Sequence, residues 1–590
     1  MTPSSELTGG AGFNFEALVA AVYMVALIGE ESAPALNDRI VKRVGVQQKC
    51  FGEPLDDVIV DSSSNNGETA RLSLQVKRSL TVSDAPSNND FREIVENSWL
   101  TLQKENYREN IDRYGAATGT IAESPRRNLN TVCEIARASL DAQSFFQRFE
   151  KNGNAGQKHK RVVTVFRSII EKFTRQIVSD NDIYRFLKHF VLVKFDFLYE
   201  GATDPAPVMS QLRPFLAEKD HHRVKDLWSR LITLARDGAG NSEEFDRTSI
   251  ALKLAGDFRF AGALSIKADL DQLTRLATLW LEDIGTEIDG YHIVRQRILD
   301  KAKARLKVHR FVQIKGLPGT GKSVLLQQLA KSRLNDGPIL FLKSDRLSGC
   351  SLAEFFHTIG MVTKDIEILL AEIEATGTPI LFIDGIDRIP PAQRKIVIDL
   401  IHIILDSKLL ANWRIVATSR DVGIEPLRNW LPPKLIKKKG VGTVDVTPLN
   451  DEEAENLAKE KPFLRPLLFG VKKVREIARR PFFAYVLARG FSTTTIQTDF
   501  RPQSEVDLIE AWWAGGGYRA DAGELYKRQH ALEELAKFGA RRFGLQILRT
   551  ELSDNTIELL HILISDGIIS DSQKGVSLKF RHDIFIHPTL

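Results

Sequence analysis

One stretch near the middle of the chain constrains the fold more than any other, the segment Phe311–Ser323 with sequence FVQIKGLPGTGKS. An apolar strand pattern leads into a glycine-rich turn, and an amphipathic helix pattern follows at once. The turn and the first residues of the helix fit G-x-x-x-x-G-K-[ST] without a mismatch. A strand before this pattern and a helix after it are the context that distinguishes a phosphate-binding loop from a chance match.

Each residue type in this loop suits the binding of a nucleoside triphosphate. Glycines let backbone N–H groups curl around phosphate oxygens, and the helix N-terminus adds positive potential. Lys322 is placed to reach the β- and γ-phosphates, and the hydroxyl of Ser323 to ligate Mg²⁺. We therefore expect ATP and Mg²⁺ as cofactors, bound by the loop residues Gly316, Gly319, Thr320, Gly321, Lys322 and Ser323.

Composition favours a large globular protein of several domains. The chain has 590 residues, 43% hydrophobic and 27% charged, with a net charge of only +5, so any nucleic-acid surface must be local. Three widely spaced cysteines indicate a reducing compartment. The N-terminus has no signal-peptide pattern, and the apolar run Ala17–Ile28 is too short to cross a bilayer. We expect a soluble cytoplasmic protein with no membrane partner.

Three segments in the first block of the chain carry candidate catalytic residues. Glu16 lies in the first turn of an apolar helix, Asp57 directly precedes a β-branched strand, and the next strand contains Gln75 and Lys77 on one face. This arrangement allows Asp57 to hold a divalent metal beside the Gln75 carbonyl, with Glu16 completing the oxygen ligands that suit Mg²⁺. Lys77 would position a water and counter phosphodiester charge. The alternative is a surface hairpin with solvated charges.

The same segments resemble the PD-(D/E)xK nuclease superfamily in its Gln-x-Lys form, and Mrr-like effector nucleases in particular. The resemblance rests on GFNFE, DDV and QVK, within about residues 10–80. It implies a restriction-endonuclease-like α/β domain that cleaves double-stranded DNA. Gln75 replaces the acid of the name motif, and Asp56 competes with Asp57 for the ligand role.

Two later strand patterns complete the predicted nucleotide site. The apolar run Ile380–Asp384 is a buried parallel strand that delivers Asp384 at its C-terminal end, where it would hold Mg²⁺. Asp387 is then placed to orient the attacking water, or it caps a helix. Arg420 ends the next strand and would sense the γ-phosphate, or it is a surface arginine.

The motif DGID at the end of the first of these strands, with TSR ending the next, resembles the STAND class of signalling ATPases, including NACHT-like members. This resemblance implies that Pro481 packs on the adenine, that the C-terminal part is a winged helix, and that His582 in FRHD contacts the β-phosphate of ADP. The alternatives are that Pro481 only starts a helix and that His582 is a structural residue at a strand end. It also implies ATP-dependent assembly into a homo-oligomer, a tetramer, in anti-phage defence. The trigger would be a phage protein, sensed by a region outside this chain or by a partner.

The sequence thus predicts an α/β multidomain protein: a nuclease effector at 1–215, a helical connector at 216–300, a P-loop NTPase with a doubly wound parallel sheet at 301–430, a helical domain at 431–500 and a winged helix at 501–590. Its predicted activity is Mg²⁺-dependent DNA cleavage switched by ATP. The alternatives are an ATP-dependent restriction or repair enzyme and a non-catalytic, nucleotide-switched scaffold that binds DNA or a partner.

Overall fold

The structure is a computed structural model that describes residues 5–36, 39–150, 156–198, 202–420, 425–436, 440–490, 504–515, 517, 524–541, 547–566, 568–571 and 577–580. The chain divides into two compact units. The first contains Met1–Leu270 and Ile368–Thr376, and the second contains Asp271–Glu367 and Gly377–Leu590. No helix in the described ranges is long and apolar enough to cross a membrane.

The first unit is built on a mixed six-stranded sheet in the order β5-β4-β3-β2-β1-β6. Its strands are β1 (Ile40–Val46), β2 (Val58–Ser63), β3 (Thr69–Ser79), β4 (Arg113–Thr120), β5 (Phe190–Lys194) and β6 (Glu244–Phe245). β3, β4 and β5 run parallel, whereas β1 pairs antiparallel with both β2 and β6, and β2 antiparallel with β3. In the β2–β3 pair Val58 lies opposite Leu74, which brings Asp57 next to Gln75.

Helices pack on both faces of this sheet because its strands expose apolar side chains on both sides. Leu72, Leu74 and Val76 share one buried cluster with the N-terminal helix, and Tyr114 and Ala116 share another with the helices that follow β3. The helices are α1 (Ser5–Gly29), α2 (Asn89–Leu102), α3 (Glu123–Ala138), α4 (Ala142–Gln147), α5 (Gln157–Thr174), α6 (Asp180–His189), α7 (Pro205–Leu212), α8 (Val224–Ala239) and α9 (Arg247–Leu254).

The first unit extends further along the chain than the sequence indicated. The sequence placed the end of the first domain at residue 215, with a connector at 216–300. In the structure β6 is an edge strand of the sheet, and Leu227 and Leu231 of α8 are buried in the cluster that contains α1. A two-residue strand carries no periodicity signal, which is why the sequence did not reveal it.

The second unit contains a parallel five-stranded sheet in the order β10-β11-β12-β9-β13. Its strands are β9 (Phe311–Gly316), β10 (Leu340–Lys343), β11 (Ile380–Asp384), β12 (Arg414–Arg420) and β13 (Val441–Asp445), and a short hairpin, β7 (Glu287–Ile288) and β8 (Tyr291–His292), precedes them. The strands are apolar runs, as expected where helices cover both faces. Because β12 lies between β9 and β11, the C-terminal ends of these three strands meet at one edge of the sheet.

The sheet helices and the C-terminal helices follow in chain order. The first group is α10 (Lys267–Glu282), α11 (Gln296–Val308), α12 (Lys322–Leu334), α13 (Leu352–Thr358), α14 (Ile366–Thr376), α15 (Arg394–Asp406) and α16 (Glu425–Arg428). The start of α10 and nearly all of α14, Ile368–Thr376, belong to the first unit. The second is α17 (Asp451–Glu460), α18 (Arg465–Leu468), α19 (Lys472–Ala478), α20 (Pro481–Gly490), α21 (Glu505–Ala514), α22 (Leu525–Arg541) and α23 (Asp554–Ser565).

The C-terminal helices share one buried cluster with a small antiparallel sheet, β14-β16-β15. The strands of that sheet are β14 (Ile547–Leu548), β15 (Ile569–Asp571) and β16 (Ser577–Phe580). This is the region where the sequence predicted a winged helix, and that assignment stays a prediction.

Candidate functional site

The glycine-rich loop adopts the conformation that its sequence requires. It leaves β9 at Gly316 and enters α12 at Lys322, and Gly319 and Gly321 have φ values of +77° and +92°. A β-carbon at Gly316 would lie 2.4 Å from the carbonyl oxygen of Val446, so this position admits only glycine without a backbone shift. The loop and the start of α12 together present N–H groups to one space, as a phosphate site needs.

Lys322 lies inside this loop and its ammonium group donates to the carbonyl oxygens of Gly316 and Leu317, each at 2.9 Å. Burial lowers the pKa of Lys322 to about 8, although Asp387 and Asp384 oppose the shift. A triphosphate would offer the ammonium group stronger acceptors than these two carbonyls. The Lys322 side chain therefore lies beside the position where we expect the phosphates.

Ser323 and Asp384, the two predicted Mg²⁺ ligands of this site, lie in direct contact. The Ser323 hydroxyl donates to Asp384 Oδ1 at 2.8 Å, and the Thr418 hydroxyl donates to the same oxygen at 2.6 Å. Thr418 in turn accepts from the Gly385 N–H at 2.7 Å. The sequence analysis did not single out Thr418, although its place near the end of β12 beside β11 could have indicated this role.

Asp387 and Arg420 form an ion pair with each other, with Arg420 Nε 2.8 Å from Asp387 Oδ2. The Asp387 side chain is only 8% exposed, whereas that of Arg420 is 53% exposed. Asp387 lies in a short 3₁₀ turn after β11, and Arg420 is the last residue of β12. The carboxylate predicted to orient water and the arginine predicted to sense the γ-phosphate are thus paired with each other.

Pro481 begins α20 next to the glycine-rich loop. A β-carbon at Gly321 would lie 3.9 Å from Pro481 Cγ, and the N–H of Phe482 donates to the Gly319 carbonyl at 3.1 Å. The helix start is therefore fixed against the loop by a backbone hydrogen bond. His582, the other residue that the STAND resemblance implied, lies outside the described residues.

Arg295, which the sequence analysis did not identify, connects the loop to the helical region. Its guanidinium group donates to the Thr320 carbonyl at 3.2 Å and to both carboxylate oxygens of Glu453 at 3.1 Å. The residue is 8% exposed, and a buried arginine needs such partners to offset its desolvation. Nothing in the sequence around Arg295 distinguishes it from the surface arginines nearby.

The first unit brings its predicted residues together at one end of the β2–β3 hairpin. Asp57 accepts from the Gln75 side-chain N–H₂ at 2.8 Å and from the Val76 N–H at 2.7 Å. Gln47, which follows β1, donates from one amide nitrogen to Asp57 Oδ1 and to Glu16 Oε2, each at 3.0 Å. Glu16 on α1, Asp57 before β2 and Gln75 on β3 therefore surround one point, and the sequence analysis missed Gln47.

Gln75 contributes an unpaired acceptor to this site. The residue is 6% exposed, and its Oε1 atom has no hydrogen-bond partner although it is buried. The contact with Asp57 fixes the amide orientation, because a flipped amide would place two oxygens together. A buried carbonyl oxygen without a donor is costly unless a cation or water satisfies it.

The acidic residues of this site are raised in pKa by their surroundings. Burial and then the Asp57 carboxylate raise the pKa of Glu16 to about 7. Burial also raises the pKa of Asp57 to about 6, against the hydrogen bond from Val76. The buried Asp57 and the half-buried Glu16 would both be stabilised in their charged forms by a divalent cation between them.

Lys77 lies at the rim of the site and is paired with helix α2. Its ammonium group is 3.2 Å from Glu93 Oε2 and 3.6 Å from Asp90 Oδ1. Burial alone would lower the pKa of Lys77, but Glu93, Asp90 and Asp57 outweigh it and the pKa is raised. Lys77 is thus a fixed positive charge within electrostatic range of Asp57.

Of the two adjacent aspartates, Asp57 is the one that makes the contacts of this site. Asp56 is also buried, and burial raises its pKa, but its charged neighbours are Lys49, Glu93 and Lys77. Asp57, in contrast, bonds directly to Gln75 and to the amide that also holds Glu16. The geometry favours Asp57 over Asp56 as the candidate ligand.

The donor set of the site fits a hard cation only if the amide oxygen takes part. Within the described ranges, no group of three or more His, Cys, Asp or Glu side chains is arranged to hold a metal. Two carboxylates and the unpaired Gln75 Oε1 make an all-oxygen set, which suits Mg²⁺ with several retained waters. The chemistry of these donors and the unpaired oxygen both fit that ion.

Comparison with known proteins identifies one domain of this chain. The sequence pattern of the family described as "ATPase family associated with various cellular activities (AAA)" matches residues 312–429, so this region is a AAA-type ATPase domain. It contains the glycine-rich loop, Asp384, Asp387 and Arg420. No curated protein matches the sequence significantly.

Solved structures with low overall similarity include the Walker-type ATPase PABY2304 of Pyrococcus abyssi, at 14% identity and a TM-score of 0.28, covering 52% of this chain and 98% of that one. Cdc6p from Pyrobaculum aerophilum is 13% identical with a TM-score of 0.27, covering 51% of this chain and 94% of that one. The Cap4 SAVED/CARF-domain receptor of Acinetobacter baumannii, solved with a cyclic trinucleotide, is 10% identical with a TM-score of 0.26, covering 63% and 61%.

Proposed function

We propose that this chain is a nucleotide-switched DNA endonuclease, in which the AAA-type ATPase domain controls a Mg²⁺-dependent nuclease in the first unit. The observation that carries the proposal is the convergence of Glu16, Asp57 and Gln75 on one point, with the Gln75 oxygen buried and unpaired. Burial raises the pKa of both the half-buried Glu16 and the buried Asp57, so placing these two carboxylates together costs the fold stability and points to a functional site.

The residues of the first site would each have a separate role in phosphodiester hydrolysis. Glu16, Asp57 and the Gln75 oxygen would hold Mg²⁺, which when bound would supply an activated water and stabilise charge on the phosphate. Lys77 counters the charge of the phosphodiester and positions the water from the rim of the site. Its ion pairs with Glu93 and Asp90 are half exposed, so a DNA phosphate can replace them at little cost.

The nucleotide site supplies the control. Lys322, Ser323 and Asp384 bind the phosphates and Mg²⁺ of ATP. Arg420 would exchange its ion pair with Asp387 for a contact with the γ-phosphate, and the Asp387 carboxylate would then be free to orient the attacking water. ATP binding and ATP hydrolysis would therefore both depend on the ion pair between Arg420 and Asp387. The state of the bound nucleotide would determine whether that pair is formed.

The remaining parts of the proposal rest on the STAND and Mrr-like resemblances. A NACHT-like protein with a winged helix would assemble on ATP into a homo-oligomer, a tetramer. Paired nuclease domains would then cut both strands of a DNA duplex, because two strand breaks need two active sites. The role would be anti-phage defence in the cytoplasm, with a phage protein as the trigger.

Plasmid cleavage with and without ATP and Mg²⁺ tests the proposal directly. We expect Lys77→Ala to abolish cleavage and to leave ATP binding intact, and Lys322→Ala to lose both. Arg78→Ala is the matched control, because Arg78 is an exposed cation one residue further along β3, where alternation directs it to the other face. It should cleave as the unmodified protein does.

The alternatives predict different results. Cleavage by Lys77→Ala would remove the nuclease assignment. DNA-stimulated, continuous ATP turnover would indicate a restriction or repair enzyme, and a plasmid that binds but stays intact under every condition would indicate a scaffold.

A further inference from the structure

Gln47 occupies the space between the two acidic residues of the first site. Its side-chain nitrogen is 3.0 Å from Glu16 Oε2 and 3.0 Å from Asp57 Oδ1. A primary amide has two N–H donors, and here both point to carboxylates. The amide nitrogen of Gln47, the positive end of a neutral dipole, thus lies between the carboxylates of Glu16 and Asp57.

The spacing that this amide imposes differs from the spacing that a metal imposes. The two N–H bonds of an amide diverge by about 120°, so acceptors at 3.0 Å lie about 5 Å apart. Two oxygens on neighbouring octahedral positions of Mg²⁺, at about 2.1 Å from the ion, lie about 3 Å apart. The two oxygens bonded to Gln47, Glu16 Oε2 and Asp57 Oδ1, therefore cannot take neighbouring positions on Mg²⁺ while the amide holds them.

The backbone fixes Gln47 in this position. Gln47 has φ +50°, in the left-handed region, where a residue other than glycine is strained. Its N–H donates to the Asp57 carbonyl at 3.2 Å, and its own carbonyl accepts from the Ser242 hydroxyl at 2.6 Å. Ser242 precedes β6 and is also left-handed, at φ +49°. Contacts from two separate segments hold the turn that delivers the amide.

We propose that Gln47 fills the cation position of this site in the metal-free protein, and that a divalent ion binds only when the Gln47 amide has moved out. The inference rests on the metal centre of the proposed function. Gln47 is a positioning residue: it keeps the carboxylates apart and paired until the ion replaces it. The buried Gln75 Oε1, which has no hydrogen-bond partner, would be a further ligand of the ion.

Calorimetric titration of the full chain with Mn²⁺ tests this, since Mn²⁺ prefers the same oxygen ligands. Gln47→Leu keeps most of the side-chain volume and removes both donors, so the dissociation constant should fall by about tenfold. Gln47→Glu adds a third carboxylate and should lower it further. Gln103→Glu is the control, because Gln103 is exposed at the end of α2 and should leave Mn²⁺ affinity unchanged. Asp57→Asn removes one of the proposed ligands, so its titration measures the Mn²⁺ that binds outside this site.

The thermal unfolding midpoint in EDTA is a second readout. It should fall for both Gln47 variants, since each leaves the carboxylates without their shared donor. Weaker Mn²⁺ binding by Gln47→Leu would mean that the amide is a ligand and would overturn the inference, as would affinities equal to that of the unmodified protein. Unmodified protein that binds no more Mn²⁺ than Asp57→Asn would instead remove the metal centre and the proposed function with it.

Discussion

Asp57→Asn should separate metal binding from folding, because Asp57 and Asp61 lie close together on the chain in opposite electrostatic surroundings. Burial raises the pKa of Asp57 to about 6. Burial would also raise that of Asp61, but Arg71 and Arg43 outweigh it and the pKa is lowered. Asp61 is 2.8 Å from Arg71 Nε and 2.5 Å from an Arg43 Nη atom. The charged form of Asp57 thus destabilises the metal-free fold, whereas the charged form of Asp61 stabilises it.

The magnitude follows from linkage. A shift from the ordinary 3.8 to about 6 costs folding about 3 kcal/mol at pH values above 6. The folded protein binds more protons than the unfolded chain between these values, so this penalty grows as pH rises from 3.8 to 6 and is absent below. An asparagine at this position would remove the charge but lose a hydrogen bond worth about 1 kcal/mol. We expect Asp57→Asn to raise the metal-free stability at neutral pH by about 2 kcal/mol or less.

The response to Mg²⁺ should change in the opposite sense. An ion present at about a hundred times its dissociation constant stabilises the fold by about 2.7 kcal/mol, and Asp57→Asn should lose that increment. Thermal unfolding in EDTA and in MgCl₂ measures both quantities. Asp61→Asn is the control: it should unfold earlier under both conditions and keep the increment. If Asp57→Asn keeps the full Mg²⁺ increment, or is destabilised in EDTA more than Asp61→Asn, the site does not hold a metal.

Two further predictions concern the nucleotide site. Arg295→Ala leaves Glu453 without its bidentate partner, so we expect a loss of about 3 kcal/mol in stability and weaker ATP binding, measured by unfolding and by fluorescent-nucleotide titration. Arg297→Ala, at an 87% exposed side chain, should change neither by more than about 0.5 kcal/mol. Because Lys322 has a pKa of about 8 and phosphates bind its charged form, ATP affinity should fall as pH rises above 8. Calorimetry in buffers of different ionisation enthalpy should then show proton uptake on binding, and its absence would contradict the shift.

The parts of the sites that the sequence predicted lie in linear motifs or in regular strands. The glycine-rich loop is contiguous, and Asp384 ends an apolar run that can only be a buried parallel strand. Asp57 and Gln75 are 18 residues apart, but antiparallel pairing after a short turn places them side by side. Period-two alternation then fixed which residues of β3 share a face with Gln75.

The parts that the sequence did not predict depend on turns and on single long-range contacts. Gln47 reaches the site because its backbone is left-handed, and no glycine or asparagine marks that turn. Arg295 is buried by partners 25 and 158 residues away, which no local pattern reports. The strand β6 is two residues long and joins the sheet only because β1 offers it an edge. Each is a consequence of tertiary packing rather than of propensity.

The two proposed magnesium sites differ in what they would require before an ion could bind, and this difference agrees with the proposed switch. At the nucleotide site the Ser323 hydroxyl donates to Asp384 in place of a metal, but it need only rotate to become a ligand itself. At the first site the donor is Gln47, which by our inference would have to move, and contacts from Asp57 and Ser242 hold its backbone. The nucleotide site would therefore need only a rotation of the Ser323 hydroxyl to accept Mg²⁺, whereas the proposed nuclease site would have to release a side chain against those contacts. A nuclease controlled by ATP, as we propose, would need the barrier at the nuclease site.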